Sequence, residues 1–337
     1  MIAYSCVVDA SIKLYHEACV WIRCLRSLCG IPPDQIFIHV VAGVPGEVVD
    51  ELASFGCTMV EVQPFDPDHK PSNKLRQLVP TRYDGARWVV LLDADMELLA
   101  AYDASSLAAD TVSGVPVFGP NPSLPVWRAM LEEGGADPTP DADVPTVTVA
   151  TGWRPDSPQT YRNNLNGGLY ALPLPVLHRI GPDWQSIARD LLAHRDRLRG
   201  VDPRYTDQIS FALAMHRHGL LAHILDVGTN CPPFRLSRQP VTAIHAMRKF
   251  DHTLYNPDGT HLRAVPNPNE DRLLALDDII REVNGLSVAE PFHFFRAAVL
   301  HALRGDKAAA GVAAGRARAT GLLTEEHLRR LAHAGID

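Results

Sequence analysis

The chain has 337 residues, 46% apolar and 21% charged, the balance of an ordinary globular protein with room for one large α/β domain or two smaller ones. Its formal charge of −7, from 32 Lys and Arg against 39 Asp and Glu, argues against broad binding to nucleic acid or anionic membranes. No stretch is long and apolar enough to span a bilayer, no charged leader precedes an apolar run, and the six cysteines and fifteen histidines show no zinc-finger spacing. Buried reduced thiols and a cytoplasmic location are therefore expected.

Taken in chain order, Ile2–Val8 reads as a strand and Tyr15–Cys29 as a helix with Leu14, Ala18, Trp21, Ile22 and Leu25 on one side. Ile36–Ala42 is a strand, Gly46–Phe55 a short helix, Thr58–Val62 a strand and Ser72–Val79 a helix. Strands alternating with helices through short connections predict an α/β fold, a mostly parallel sheet flanked by helices. Val8-Asp9-Ala10-Ser11 follows the first strand where a dinucleotide enzyme would have glycines. Neither a P-loop nor a G-x-S-x-G elbow occurs. These absences argue against dehydrogenases, P-loop enzymes and α/β-hydrolases.

The most informative stretch is Trp88–Leu99, in which Val89-Val90-Leu91-Leu92 runs into Asp93-Ala94-Asp95. A run with no polar alternation reads as a strand buried on both faces. Residues i and i+2 of a strand share a side, so Asp93 and Asp95 are expected to aim together beyond the strand's carboxyl end, where open α/β sheets bind ligands. Two hard oxygen donors there suit Mg²⁺ or Mn²⁺ held together with phosphates. The plainer reading is a capping aspartate beside a solvated one.

Residues 134–161 are rich in Pro, Asp and Thr and read as a loop or hairpin insertion, a candidate lid. Arg162–Ala171 resumes a strand around Asn166-Gly167-Gly168, and Leu174–Ile180 and Trp184–Arg197 are helical. Thr206–His218 is a helix capped by Thr206 or Asp207. A strand at His223–Val227 precedes a Pro-rich stretch and a short apolar approach to Ile244-His245. From about residue 268 the chain is helical and Ala-rich, which suggests a main domain over 1–265 and a helical C-terminal extension over 266–337. Phe292, Phe294, Phe295, Val299 and Leu300 are expected to pack on their own domain, a homodimer contact being the competing reading.

Four further segments carry polar chemistry. In Ser72-Asn73-Lys74-Leu75 the lysine suits a diphosphate and the asparagine a base or ribose, against a capping serine with a solvated lysine. Adjacent glycines at Gly167 and Gly168 mark a close approach by a ligand or another backbone, and the asparagine amides suit sugar hydroxyls. Tyr205-Thr206-Asp207-Gln208 opens a helix, where capping is the alternative. His245 lies just before Arg248 and Lys249 and is a candidate third metal ligand beside the two aspartates.

In this order the segments LLDADMEL, NNLNGGLYALP, TDQISFALAM and the late histidine resemble the nucleotide-sugar glycosyltransferases of the GT-A fold. They are most like the family-eight retaining group of glycogenin and the lipopolysaccharide galactosyltransferases, over about residues 1–250. The resemblance implies a GT-A-like sheet and a divalent metal, usually Mn²⁺, held by Asp93, Asp95 and His245 against a donor diphosphate. It implies that Val8, Asp9, Ser11, Asn73, Lys74 and Ala94 line the nucleotide side, with Asn166, Gly167 and Gly168 near the donor sugar. Asp207 and Gln208 would face the reacting carbon, and Arg248 or Lys249 would clamp the departing phosphates. The sequence departs from the group after the histidine, where Ala-Met-Arg-Lys-Phe replaces the usual Gly-x-x-Lys-Pro-Trp, and in the Asn-Gly-Gly-Leu-Tyr motif.

The expected activity is metal-dependent transfer of a hexose from a nucleoside-diphosphate sugar, UDP-sugar favoured, to a hydroxyl on a small molecule, saccharide or protein. A sugar-phosphate nucleotidyltransferase would carry a Gly-rich basic loop after the first strand, which is missing. A non-catalytic sugar-nucleotide-binding scaffold would have no need of the full set Asp93, Asp95, Asp207 and His245.

Overall fold

The computed structural model describes residues 1–133, 144–150, 156–233, 239–245, 256–258, 260 and 268–336. The first hundred residues fold as strand β1 (Ile2–Val8), helix α1 (Ile12–Arg23), β2 (Ile36–Val41), α2 (Gly46–Ser54), β3 (Thr58–Val62), β4 (Trp88–Leu92) and the short β5 (Met96–Leu98). Then come β6 (Ser113–Gly114), α3 (Leu124–Glu133), β7 (Thr146–Thr148), β8 (Gln159–Tyr161), β9 (Leu169–Pro173), α4 (Leu174–Ala193), α5 (Thr206–Arg217), β10 (His223–Ile224) and β11 (Ala243–His245). Helices α6 (Glu270–Asn284), α7 (Glu290–Leu303), α8 (Lys307–Ala319) and α9 (Glu325–His333) complete the chain.

The main sheet has the order β10-β6-β9-β4-β1-β2-β3. All neighbours pair in parallel except β9, which runs antiparallel to both β4 and β6. The mostly parallel α/β sheet read from the sequence is thus what the chain forms. Period-two alternation divides each central strand between two cores. Tyr4, Cys6, Val8, Ile36, Ile38, Val40, Val90 and Leu92 face α1 and helices α6 to α8. Ala3, Phe37, Val89, Leu91, Tyr170 and Leu172 face α4 and α5. Both faces of β4 are covered, which is why its sequence is apolar without a break.

The C-terminal helices share the first core with α1, and His16 Nε2 lies 2.8 Å from Asn284 Oδ1. Phe292, Phe295, Val299 and Leu300 are buried in the chain's own interior and Phe294 packs against it, as the sequence suggests. No helix of the described residues is long and apolar enough to cross a membrane.

Several local expectations need correction. The helix read over Tyr15–Cys29 begins at Ile12 and loosens after Arg23 into a π turn over Cys24–Leu28. The segment Lys70–Gln77 is a 3-10 coil, and neither it nor α5 has a side-chain cap: Thr206 Oγ1 instead donates to the Pro203 carbonyl at 2.6 Å. The strand expected from Arg162 starts only at Leu169. Asparagine side chains bind backbone groups there in place of a ladder, Asn163 Oδ1 accepting from the Ala222 amide and Asn166 Oδ1 from that of Gly168. The break expected near Gly181-Pro182 does not occur. α4 runs through Pro182 because Ile180, Trp184, Ile187 and Ala188 on either side are buried in the second core. The strand expected over His223–Val227 keeps only its first two residues. In the 134–161 region β7 and β8 form an antiparallel hairpin; 134–143 and 151–155 lie outside the described residues.

Candidate active site

Asp93 and Asp95 meet for a different reason from the one their spacing suggests. β4 ends at Leu92, so the two carboxylates sit in a tight turn, closed by the Met96 amide donating to the Asp93 carbonyl at 3.1 Å. Beyond the turn β5 pairs antiparallel with β11, setting His245 opposite Met96. The pairing carries the imidazole back over the turn. His245 Nε2 lies 3.5 Å from Asp95 Oδ1 and 3.9 Å from Asp93 Oδ2. One ligand atom from each of the three residues falls within 4.8 Å of the others.

Two carboxylates and an imidazole form an oxygen-rich donor set with one nitrogen, which suits Mn²⁺ or Mg²⁺. The buried Nδ1 of His245 has no hydrogen-bond partner among the described residues and faces Gly168. Burial works against a charged His245, but Asp95 and Asp93 outweigh it and raise its pKa. Burial pushes the Asp95 carboxyl up, and His245 with Lys13 and Lys74 overcomes it and holds the group well below the usual range. This mutual charge stabilisation is that of an ion pair, and strongly perturbed groups of this kind cluster at functional sites.

Lys74 stands on the other side of Asp93. Its Nζ donates to Asp93 Oδ1 at 2.5 Å and to the Gly167 carbonyl, and lies 5.5 Å from the Tyr170 ring centroid. Gly167 is where three groups crowd together. A methyl group there would stand 3.4 Å from Asp207 Oδ2, 3.5 Å from Lys74 Nζ and 3.7 Å from the Tyr170 hydroxyl. The Asp207 carboxyl is pushed up to about 6, first by burial and further by Asp93, with Lys74 opposing. Its backbone carbonyl accepts from Trp184 Nε1 at 2.8 Å, fixing the start of α5. Gln208 is held by donating to Asn164 Oδ1 at 2.8 Å.

These residues line a cavity of about 520 Å³. Lys74, Asp93, Asn166, Gly167, Gly168, Asp207, Gln208 and His245 form its inner wall, and Phe118, Asn121, Arg204 and Tyr205 its outer rim. A groove of about 390 Å³ continues from it past Asp95 and Ala94 to Asp9, Lys13, Lys70 and Asn73. Asn73 holds the loop before it by accepting from the Phe65 amide at 2.9 Å, and its Nδ2 lies 3.5 Å from Asp9 Oδ2. Ser11 lines a neighbouring cleft, whereas Val8 is buried in the core and Val7 takes its place on the groove. Arg248 and Lys249 lie outside the described residues.

Sequence reasoning missed Lys13, Tyr170 and the rim residues Phe118, Asn121 and Arg204. Lys13 lies 3.8 Å from Asp95 Oδ2 and 3.3 Å from Glu17 Oε1. Its i,i+4 spacing to Glu17, which is buried beside the groove, was a readable signal. Tyr170 was legible only as a departure from the aliphatic residues that the resemblance leads one to expect.

No family model matches the chain, and no curated protein matches it. Among solved structures it overlaps the galactosyltransferase LgtC in complex with donor and acceptor sugar analogs, at 11% identity over 82% of this chain and 95% of that one, with a TM-score of 0.45. It also overlaps apo mouse xyloside xylosyltransferase 1, at 15% identity over 73% of this chain and 98% of that one, with a TM-score of 0.43. An active-site mutant of LgtC overlaps at 12% identity, over 82% and 95% of the two chains, also with a TM-score of 0.43. Overlaps this slight carry no argument about chemistry; the site geometry does.

Proposed function

We propose that the protein is a metal-dependent glycosyltransferase of GT-A type, moving a hexose from a nucleoside-diphosphate sugar, UDP-sugar favoured, to a hydroxyl-bearing acceptor. The observation that carries this reading is the meeting of Asp93, Asp95 and His245 where two spaces adjoin: a cavity lined by Asp93, His245 and the half-buried Asp207, and a groove lined by Asp93 and Asp95. Asp93, Asp95 and His245 Nε2 would hold Mn²⁺, which when bound neutralises charge on a departing diphosphate.

The chain's own groups supply the rest. Lys74 is a fixed cation between the carboxylate turn and the Gly167 backbone, placed to meet a phosphate oxygen. Gly167 and Gly168 keep that wall thin, so a sugar can approach Asp207 without meeting a side chain. Asp207, with a pKa near 6, is ionised at neutral pH and suited either to stabilise positive charge on the anomeric carbon or to take the acceptor hydroxyl proton. Gln208 is oriented by Asn164 to hydrogen-bond a sugar hydroxyl. The chain is further proposed to act in the cytoplasm and to divide into the 1–265 transferase domain and the 266–337 extension.

The test is a thermal-shift screen of UDP, GDP, ADP, CMP and TDP, each with and without Mn²⁺. A stabilisation that needs one nucleotide and the metal together, and that Asp95→Ala abolishes without unfolding the protein, supports the reading. Absence of any metal-dependent shift removes it.

A further inference from the structure

Helices α7 and α9 reach over the end of β1 and enclose a second cleft, of about 570 Å³, against Asp9, Ala10, Ser11, Lys13 and Lys70. Its far wall is Phe292, Phe295, His327 and Arg330. We infer that this cleft receives the nucleoside end of the donor, so that the C-terminal helices complete the substrate site. The inference rests on the donor-binding reading above.

Continuity is the first argument. The main cavity and the groove share Lys74 and Asp93, and the groove and the cleft share Asp9, Lys13 and Lys70. The three spaces therefore adjoin in series from Asp207, past the carboxylate turn, to Arg330. A nucleoside-diphosphate sugar is itself a linear molecule, with sugar, diphosphate, ribose and base in that order. With the sugar at Asp207 and the diphosphate at Asp93 and Asp95, ribose falls at Asp9 and Asn73 and the base falls between Ala10 and α9.

The chemistry of the lining fits that end of the molecule. The Arg330 guanidinium lies 5.8 Å from the Phe295 ring centroid, and the His327 ring meets the same phenyl edge-on at 4.8 Å. An exposed guanidinium on an aromatic base is a flat surface on which a heterocycle stacks while its carbonyl oxygens accept hydrogen bonds from the cations around it. Lys13 and Lys70 are those neighbouring donors, and the largely buried Asp9 carboxylate is an acceptor for ribose hydroxyls. α9 packs on the first core through Leu331 and begins at the cleft with a reciprocal cap, in which the Thr324 amide donates to His327 Nδ1 at 3.2 Å. A docked terminal helix so fixed can present side chains to a ligand.

The test is calorimetric titration of the full chain with UDP, GDP and inorganic pyrophosphate, each with Mn²⁺. Pyrophosphate carries the metal-binding part of the donor without the nucleoside. Arg330→Ala is expected to weaken binding of whichever nucleotide the wild type takes by about tenfold, the loss of one charge-assisted contact, and to leave pyrophosphate unchanged. Arg281→Ala removes the same charge from the surface of α6, where it pairs with Asp278 away from the cleft, and is expected to change nothing by more than about twofold. Nucleotide binding by Arg330→Ala within twofold of wild type overturns the inference, as does an equal loss for pyrophosphate. Failure of the donor reading has a different signature: the wild type itself then binds neither nucleotide with Mn²⁺, and the inference falls with it.

Discussion

Gly168 and His245 are fitted to each other so closely that a methyl group on the glycine would stand 2.6 Å from the imidazole Cε1 and 2.7 Å from Nδ1. The glycine has no unusual backbone angle to justify it. Its bare Cα is needed because the ring that completes the candidate metal site lies flush against it.

Gly168→Ala is therefore expected to push the imidazole off Asp93 and Asp95 while the sheet stays folded. Manganese affinity, measured by calorimetry, should fall by about tenfold or more, the range seen when the support of a metal ligand is disturbed. Unchanged affinity would mean that His245 Nε2 is not a ligand.

Asp207 makes opposite demands on stability and on activity. Its folded pKa, about 6, exceeds the ordinary carboxylate value of 3.8, so the fold favours the protonated form. This contribution is present at low pH and is lost as pH rises from about 4 to about 6, leaving the neutral-pH protein about 3 kcal/mol poorer for holding a buried charge. Asp207→Asn should stabilise the metal-free protein at pH 7 by up to that amount and by almost nothing at pH 4, as read by urea denaturation. Donor turnover in the same variant should drop by at least about a hundredfold. Wild-type turnover should rise with pH through about 6.

His39 slopes the other way. Burial lowers its pKa to about 4; it lies inside β2 with Ser5 Oγ 3.3 Å from Nδ1, and Nε2 has no partner among the described residues. The neutral ring is what the fold accepts, so stability is full above pH 6.5 and falls by about 3 kcal/mol as pH drops from there to about 4. His39→Gln, compared with wild type in urea at pH 7 and pH 4.5, should flatten this fall. An identical slope in both proteins would assign it to other groups.

Lys74 and the proposed metal act on the same carboxylate turn. Lys74→Met removes the cation from Asp93, and the metal-free variant should lose about 2 kcal/mol, because a buried lysine is taken from a half-buried carboxylate that is left unpaired. Manganese should restore more stability to this variant than to the wild type. The thermal-shift difference between the two proteins, with and without metal, measures the effect. Equal shifts would place the metal away from Asp93.

The central sheet was readable because burial on both faces leaves a mark that needs no knowledge of neighbours: β4 is apolar at every position. Asp93, Asp95 and His245 were readable as chemistry but not as geometry. Their convergence depends on a turn and on the pairing of β5 with β11, partners nearly 150 positions apart in sequence, and local periodicity carries no trace of that. The helix break expected at Gly181-Pro182 fails for a related reason. The cost of a proline is local, while the packing of Trp184 and its neighbours that overrides it is tertiary. Lys13 and Arg330 belong to helices that look like scaffold, and only the folded chain brings them to the same path.

Because β9 enters the sheet against the direction of β4, the glycines that precede it arrive where β4 ends. Leu169 pairs with Leu92, and the Asp93 amide donates to the Gly168 carbonyl at 3.2 Å. Strand alignment thus acts as a gauge for the corner that carries the candidate metal ligands. A slip of one residue would bring leucine where only hydrogen fits and turn every β9 side chain to the opposite core. Leu169, Ala171 and Leu172, deep in the two interiors, keep that gauge set. Amide exchange at Asp93 should consequently be as slow as in the middle of β4, although the residue borders a cavity.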